Sequence, residues 1–506
     1  MRSEAAAVFV ALALLDLGVG CGGGPAANAR RDGSVGASDG SLEARVPDAP
    51  SGADAAEDAG ASANGDEHGD PSDAAYLTDA ADAANGAEAM ALLTCPELAS
   101  AHPWQDALGG RTLADRGTIV SCAHVGSFTQ AQVAQNSAFP QQLGKPTNGY
   151  ELFIVQYVSE GRPDVAATVT ALLYLPTGGA NHVPIVAVDH ATSGMGPSCG
   201  PTHTTSIVDS LAVPLVGLGY AVVATDYAGM GVDNGMTSYL VGDAEAAETL
   251  DSVRALLRFH EARFDAAQLG ADFFVMGHSQ GAHAALFTHA AFDPGVGVNL
   301  LGSVSFAPGL GNAKDWSAFF NSVNTPVSTL EVFAAMSLYS RMLWAGGPAA
   351  STWLSTVAQT QLPVMVHDDC STSLLSVVPA RFGAQGDLYQ QSFLAASQAC
   401  SFQSPCSGFE PWSSALIADQ PGDFASAVPA FIAQGSADTI VPPATTACIV
   451  QRLTSRGTPV QACSYAGADH TSIVTTALPD ALRWLAARRA GGTATPCATT
   501  LSATCG

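Results

Sequence analysis

The chain has 506 residues, 47% of them hydrophobic and only 13% charged, ample material for a large core. Its 45 acidic residues outnumber 19 basic ones for a formal charge of −26. That balance argues against nucleic-acid binding, which needs a basic footprint, and gives no support for electrostatic docking to anionic lipid. Residues 1–90 hold sixteen Asp and Glu against four Arg, which leaves 29 acids and 15 bases beyond them. The remainder is therefore acidic too.

Residues 5–15 form an apolar run behind Arg2, too short to span a bilayer but of the length a targeting segment uses. Leu17-Gly18-Val19-Gly20-Cys21 and three glycines follow. Small residues ahead of a cysteine resemble a bacterial lipoprotein signal, which implies a lipid on Cys21. Leu17 stands one place early, so plain secretion after a nearby cleavage is the other reading. Either way residues 1–21 are expected to direct export, to a membrane anchor or to the medium. Residues 22–90 are mostly Gly, Ala, Ser and Asp. Such a stretch buries too little apolar surface to offset its ordering entropy, and reads as an acidic, flexible tether. Residues 91–506 are expected to form the folded domain.

Apolar runs at 152–158, 167–175, 184–188, 220–224, 272–276 and 302–307 predict strands. Leu250, Val253, Leu256 and Leu257 keep 3–4 spacing within a helix over 244–260. Strands alternating with helices predict an α/β fold with a mostly parallel sheet covered on both faces. The rhythm lapses over about 310–427 and returns at 429–433 and 459–463. An insertion of that length after the sixth predicted strand reads as a largely helical cap. Its stripe of Val332, Met336, Tyr339 and Leu343 reads as helix packing, which is compatible with a lid that closes over substrate.

Gly277-His278-Ser279-Gln280-Gly281 is a G-x-S-x-G motif with an apolar strand before it and a helix opening after it. In that context Ser279 stands at a sharp strand–helix turn, as a nucleophile must. A serine hydroxyl needs a base, and the base a carboxylate to hold it. Only His367 and His470 lie beyond the nucleophile helix. His470 follows the last predicted strand and is the expected base; His367 falls in the cap and reads as surface or core. Asp438 follows the strand 429–433 and a glycine turn, and is the expected acid. Asp469 reads as a loop cap, and Asp423 lies at the wrong end of its strand. His278, His283 and His289 read as packing residues, Asp226 and Tyr227 as turn residues. For the oxyanion, the expected donors are the backbone N–H of Gln280 and that of Ala191, with Asp189 as the alternative to Ala191.

The loop His190-Ala191-Thr192-Ser193-Gly194 resembles the H-G-T-T-G loop of the secretory lipase family, with Ala191 in place of its first glycine. Pro197-Ser198-Cys199-Gly200-Pro201-Thr202 and Ala224-Thr225-Asp226-Tyr227-Ala228-Gly229-Met230-Gly231 are similar to later segments of that family, as are Tyr239 and Asp251-Ser252-Val253-Arg254-Ala255. The resemblance covers about 150–310 and 428–485. It implies the α/β-hydrolase fold and a lipase or esterase with Ser279, Asp438 and His470 as its triad, acting on a small-molecule or lipid ester. Triad chemistry calls for no metal and no organic cofactor, and the absence of any C-x-x-C pair gives zinc ligation no support. A serine exopeptidase of the same fold, or a non-catalytic binding protein built on it, would use the same scaffold. Beyond Cys21 there are ten cysteines, an even number that in an exported chain predicts disulfides. Cys448 and Cys463 bracket the segment between the acid loop and the last strand, and are the suggested pair.

Overall fold

A computed structural model describes residues 94–505 except 99–103, 179–180, 264–268, 313–315 and 317–318. The chain divides into units Met1–Ala83 and Ala84–Gly506, and every described residue belongs to the second. The expected signal with Cys21 and the expected tether at 22–90 lie outside the described residues.

A nine-stranded sheet carries the unit, in the order β1-β2-β3-β5-β4-β6-β7-β8-β9. The strands are β1 Ile119–Phe128, β2 Tyr150–Arg162, β3 Val165–Pro176, β4 Val183–Asp189, β5 Ala221–Thr225, β6 Leu269–His278, β7 Asn299–Phe306, β8 Ala430–Gly435 and β9 Val460–Tyr465. The pairs β1/β2, β2/β3 and β3/β5 are antiparallel, and every pair from β5 through β9 is parallel. β4, β5 and β8 are buried at every position, as strands covered on both faces must be. Strand β1 was not expected. Its sequence mixes His, Ser and Gly into a half-exposed edge strand, so no apolar run marks it.

Helices α1 Gln130–Gln135, α2 Ser206–Gly217, α3 Gly242–Arg263 and α4 Gln280–Ala290 connect the strands up to β7. Two cores lie on opposite faces. Alternate residues of β4 divide between them: Val186 and Val188 join α2 on one side, Ile185 and Ala187 join α3 on the other. The period of two in a strand does the sorting.

The cap lies between β7 and β8, which is one strand later than the sequence count because β1 adds to it. It contains α5 Thr329–Trp344, α6 Ala358–Asp368, α7 Ser371–Arg381, α8 Gln385–Leu388, α9 Gln391–Gln398 and α10 Trp412–Ala418. It has its own core, centred on Trp316, Phe320, Trp353, Tyr389, Phe393 and Trp412. Val332 and Met336 of the α5 stripe are buried there. Tyr339 and Leu343 instead face a cavity of about 380 Å³ shared with Met195, Met236 and Val366. The helix therefore serves both packing and a cavity wall.

After β8, α11 Pro443–Ser455 leads to β9, and α12 Ser472–Arg489 follows. The C-terminal tail then returns along β9, with Ser464 N–H donating to Thr499 O at 2.9 Å and Leu501 N–H to Ala462 O at 3.0 Å. It covers what would otherwise be an open sheet edge. This return corrects the suggested Cys448–Cys463 pair. Cys448 bonds Cys505 and Cys463 bonds Cys497, because the tail brings its own cysteines alongside both. The other disulfides are Cys95–Cys122, Cys199–Cys370 and Cys400–Cys406.

Candidate active site

Register gathers the site at one edge of the sheet. Asp189 ending β4 is opposite Gly277 of β6, His278 is opposite Phe306 of β7, Phe306 is opposite Ala433 of β8, and Gly435 is opposite Tyr465 of β9. The loops leaving β4, β6, β8 and β9 therefore emerge together, at the carboxyl ends where open α/β sheets bind ligands.

Ser279 is the residue between β6 and α4, at φ 55° and ψ −113°. That backbone is costly for a residue with a side chain, and surrounding bonds hold it. Its N–H donates to Phe306 O at 2.9 Å, and its carbonyl accepts from Ala282 and His283, each at 3.1 Å. The flanking glycines allow close approach. A Cβ on Gly277 would lie 2.1 Å from Gly281 O, and one on Gly281 only 1.9 Å from Asp189 O.

His470 Nε2 lies 2.9 Å from Ser279 Oγ, and its Nδ1 lies 2.8 Å from Asp438 Oδ2. Asp438 is held in turn. Its Oδ1 accepts from the N–H groups of Ile440 and Val441, each at 2.9 Å, and Gln434 Nε2 reaches Oδ2 at 3.3 Å. Burial works against its charge, but the hydrogen bond and charge of His470, with those two N–H groups, outweigh it and hold the carboxyl below its ordinary range. An ionised Asp438 accepts from Nδ1–H. Nε2 is then the free lone pair that faces the serine.

His278 does more than pack the turn. Its Nε2 lies 2.7 Å from the His470 carbonyl, and the two rings are 4.8 Å apart. Burial first, and the neighbouring His470 charge second, lower its pKa to about 3. A neutral His278 thus donates to the backbone carbonyl of His470. Nothing in its sequence position beyond adjacency to Ser279 announces this. Asp469 is a loop cap as expected, with Oδ1 accepting from Thr471 N–H, Ser472 N–H and Ser472 Oγ at 3.1, 2.8 and 2.7 Å. Asp423 instead pairs with Arg456 at 2.6 Å on the surface. His367 sits in the cap, 2.7 Å from Asp368 and 3.5 Å from Asp233.

The loop after β4 lies over the first turn of α4, where the missing Gly281 side chain makes room. His190 is buried and its pKa is lowered to about 4 by that burial, against bonds to the carbonyls of Ala191 and Asp226. Thr192 Oγ1 is 3.0 Å from Tyr239 OH, and Ser193 O accepts from Ser371 N–H at 2.8 Å. The Cys199–Cys370 disulfide closes the same corner, tying cap to core beside this loop. Gln280 opens α4, so its N–H has no carbonyl one turn back.

Residues 197–325 match the Secretory lipase family. No curated protein matches the chain. Among solved structures, a ligand-bound rice cell wall degrading esterase LipA from Xanthomonas oryzae is similar at 17% identity and TM-score 0.60, over 72% of this chain and 94% of that one. Candida antarctica lipase A in its closed state is similar at 17% identity and TM-score 0.59, over 80% of this chain and 90% of that one. A putative hydrolase from Legionella pneumophila gives 14% identity and TM-score 0.62, over 74% and 100%. The chain has the α/β-hydrolase fold.

Within that hydrolase fold the remaining polar residues support turns. Asp226 is buried and accepts from Thr170 Oγ1 at 2.6 Å, from Thr202 N–H at 2.9 Å and from Thr202 Oγ1. Burial raises its pKa to about 6 against those three bonds. Tyr227 holds the following turn at φ 66°. His289 bonds Ser303 at 2.8 Å and Ser426 at 3.0 Å behind α4. Among the described residues no cluster of three His, Cys, Asp or Glu is arranged to hold a metal ion.

Proposed function

We infer that the protein is an exported serine hydrolase of carboxylic esters, a lipase or esterase, with Ser279 as nucleophile, His470 as base and Asp438 as the acid that orients it. The observation that carries this is the chain of two hydrogen bonds, 2.9 Å from Ser279 Oγ to His470 Nε2 and 2.8 Å from His470 Nδ1 to Asp438. Ser279 Oγ bonds to the acyl carbon as its proton passes to Nε2. The carbonyl oxygen takes up the negative charge and accepts from Gln280 N–H and Ala191 N–H. The carbon–oxygen bond to the alcohol then breaks, and the alcohol leaves with the proton from Nε2. Water adds to the acyl-enzyme by the same route in reverse, releasing the carboxylic acid and restoring Ser279. The secretory lipase match and the lipase and esterase neighbours support an ester over an amide as substrate. A lipid on Cys21, with residues 22–90 as tether, would hold the enzyme at a membrane.

The test is covalent labelling with a fluorophosphonate, followed by rates on p-nitrophenyl acyl esters and on aminoacyl anilides. Ser279 should carry the label, and Ser279→Ala should lose both label and ester hydrolysis. A preference for anilides would replace the ester reading with an exopeptidase. An unlabelled Ser279 would leave only a binding protein.

A further inference from the structure

Glu245 on α3 is fully buried, with a relative exposure of 0%. Its Oε1 accepts from Leu240 N–H at 3.0 Å and from Gln280 Nε2 at 2.9 Å, while Oε2 meets His283 Nδ1 at 2.7 Å. His283 Nε2 lies 3.0 Å from the carbonyl of Asp419, just past cap helix α10. A carbonyl only accepts, so Nε2 carries a hydrogen. A second hydrogen must then lie between Nδ1 and Oε2. Whether that pair is imidazolium with carboxylate or neutral imidazole with carboxylic acid, its net charge is zero, which is how such groups tolerate full burial.

Gln280 and His283 stand one turn apart at the start of α4, directly after Ser279, and one carboxyl group grips both. The Gln280 amide is kept at a cost, because its Oε1 is buried without a partner among the described residues. An apolar side chain there would avoid that cost. What the amide supplies is its Nε2 bond to Glu245. The Asp419 side chain accepts from Gly242 N–H at 3.0 Å and pairs with Arg341 of α5. The same network thus seats the cap on α3.

We propose that Glu245 is a positioning residue for the oxyanion hole: by holding the Gln280 side chain and His283, it fixes the direction of the Gln280 N–H. The proposal rests on the reading of that N–H as an oxyanion donor. Glu245→Gln keeps every bond of the neutral arrangement. Its Nε2 donates to His283 Nδ1, and its Oε1 still accepts from Leu240 and Gln280. Glu245→Ala keeps none of them.

The experiment measures kcat and KM on the ester that the wild type hydrolyses best, per fluorophosphonate-titrated Ser279. It also measures inhibition by a trifluoromethyl ketone, whose hydrated or serine-bound form needs the oxyanion hole. Glu245→Ala should lose kcat by about 10- to 100-fold with little change in KM, and should lose trifluoromethyl ketone affinity in parallel. Glu245→Gln should recover most of both. A kcat per site for Glu245→Ala within about twofold of wild type overturns the proposal, whatever its melting temperature. So does a Gln variant no better than the Ala variant. If Glu245→Ala does not fold, Gln280→Met carries the test, since it removes the amide and keeps the backbone N–H. The same loss of kcat supports the proposal, and an unchanged kcat refutes it. A wild type that neither hydrolyses esters nor takes the label fails the ester reading itself, visibly and before any variant is made, and takes this proposal with it.

Discussion

Gly281 is where a single methyl group should separate folding from catalysis. A Cβ there would lie 1.9 Å from the oxygen and 2.4 Å from the carbon of the Asp189 carbonyl, and 2.8 Å from His190 O. Ordinary contact begins at 3.4 Å, so Gly281→Ala must find about 1.5 Å between α4 and the loop after β4. All three atoms are backbone, and no side chain can swing aside. The helix itself gains from the change, since alanine is favoured over glycine in a helix by about 0.5–1 kcal/mol. Separating α4 from the loop separates the Gln280 N–H from the Ala191 N–H, and a misplacement of about 1 Å can cost about 100-fold. Gly281→Ala should therefore fold, retain the Ser279–His470–Asp438 contacts, and lose kcat by about 100-fold at nearly unchanged KM. Steady-state rates on p-nitrophenyl butyrate, normalised to fluorophosphonate-titrated sites, give the number, and thermal melting monitors the fold. A variant with kcat within about twofold of wild type would refute the placement of the oxyanion hole between these two elements.

Asp438→Asn should keep the Ile440 and Val441 bonds but turn an N–H toward His470 Nδ1, forcing the wrong tautomer. The expected loss in kcat is about 10⁴-fold, read by single-turnover kinetics, and a loss below about tenfold would count against Asp438 as the orienting acid. Burial raises the Asp189 carboxyl well above its ordinary value of 3.8. Between pH 3.8 and its folded value, the folded state keeps a proton that the unfolded state has released. That part of the stability is therefore full below pH 3.8 and drains away as pH rises. Asp189→Asn should remove a slope of about 1.4 kcal/mol per pH unit, so urea unfolding at about pH 5 and about pH 7 should show the variant gaining on wild type with pH. A gain that does not grow with pH would show that Asp189 ionises in the fold. Non-reducing peptide mapping should recover Cys448 with Cys505 and Cys463 with Cys497, and a Cys448–Cys463 peptide would contradict the tail's return along β9.

The proposed triad was legible because each member follows a strand, and the runs ahead of Ser279 and Asp438 are apolar and buried where they approach those residues. Ser279, Asp438 and His470 follow β6, β8 and β9 in the order the fold requires, and parallel register alone brings the three ends together. What the sequence hid has a common cause. Strand β1 is a half-exposed edge, so its apolar pattern is diluted. The tail beside β9 contributes backbone bonds and disulfides, which have no side-chain periodicity. Glu245 is the sharpest case. An acidic residue in a helix of mean composition reads as a solvated face, and only the fold reveals that α3 turns it inward. It meets Gln280 and His283 there, 35 and 38 positions along the chain. Apolar periodicity reports which side of an element is buried, but it does not report which buried polar groups satisfy each other. That pairing is decided by how α3 and α4 pack, and the support of the proposed oxyanion hole belongs to this second kind of information. The residues that would do the chemistry are therefore readable from motifs, whereas those that would hold them in place become visible only when the helices are in contact.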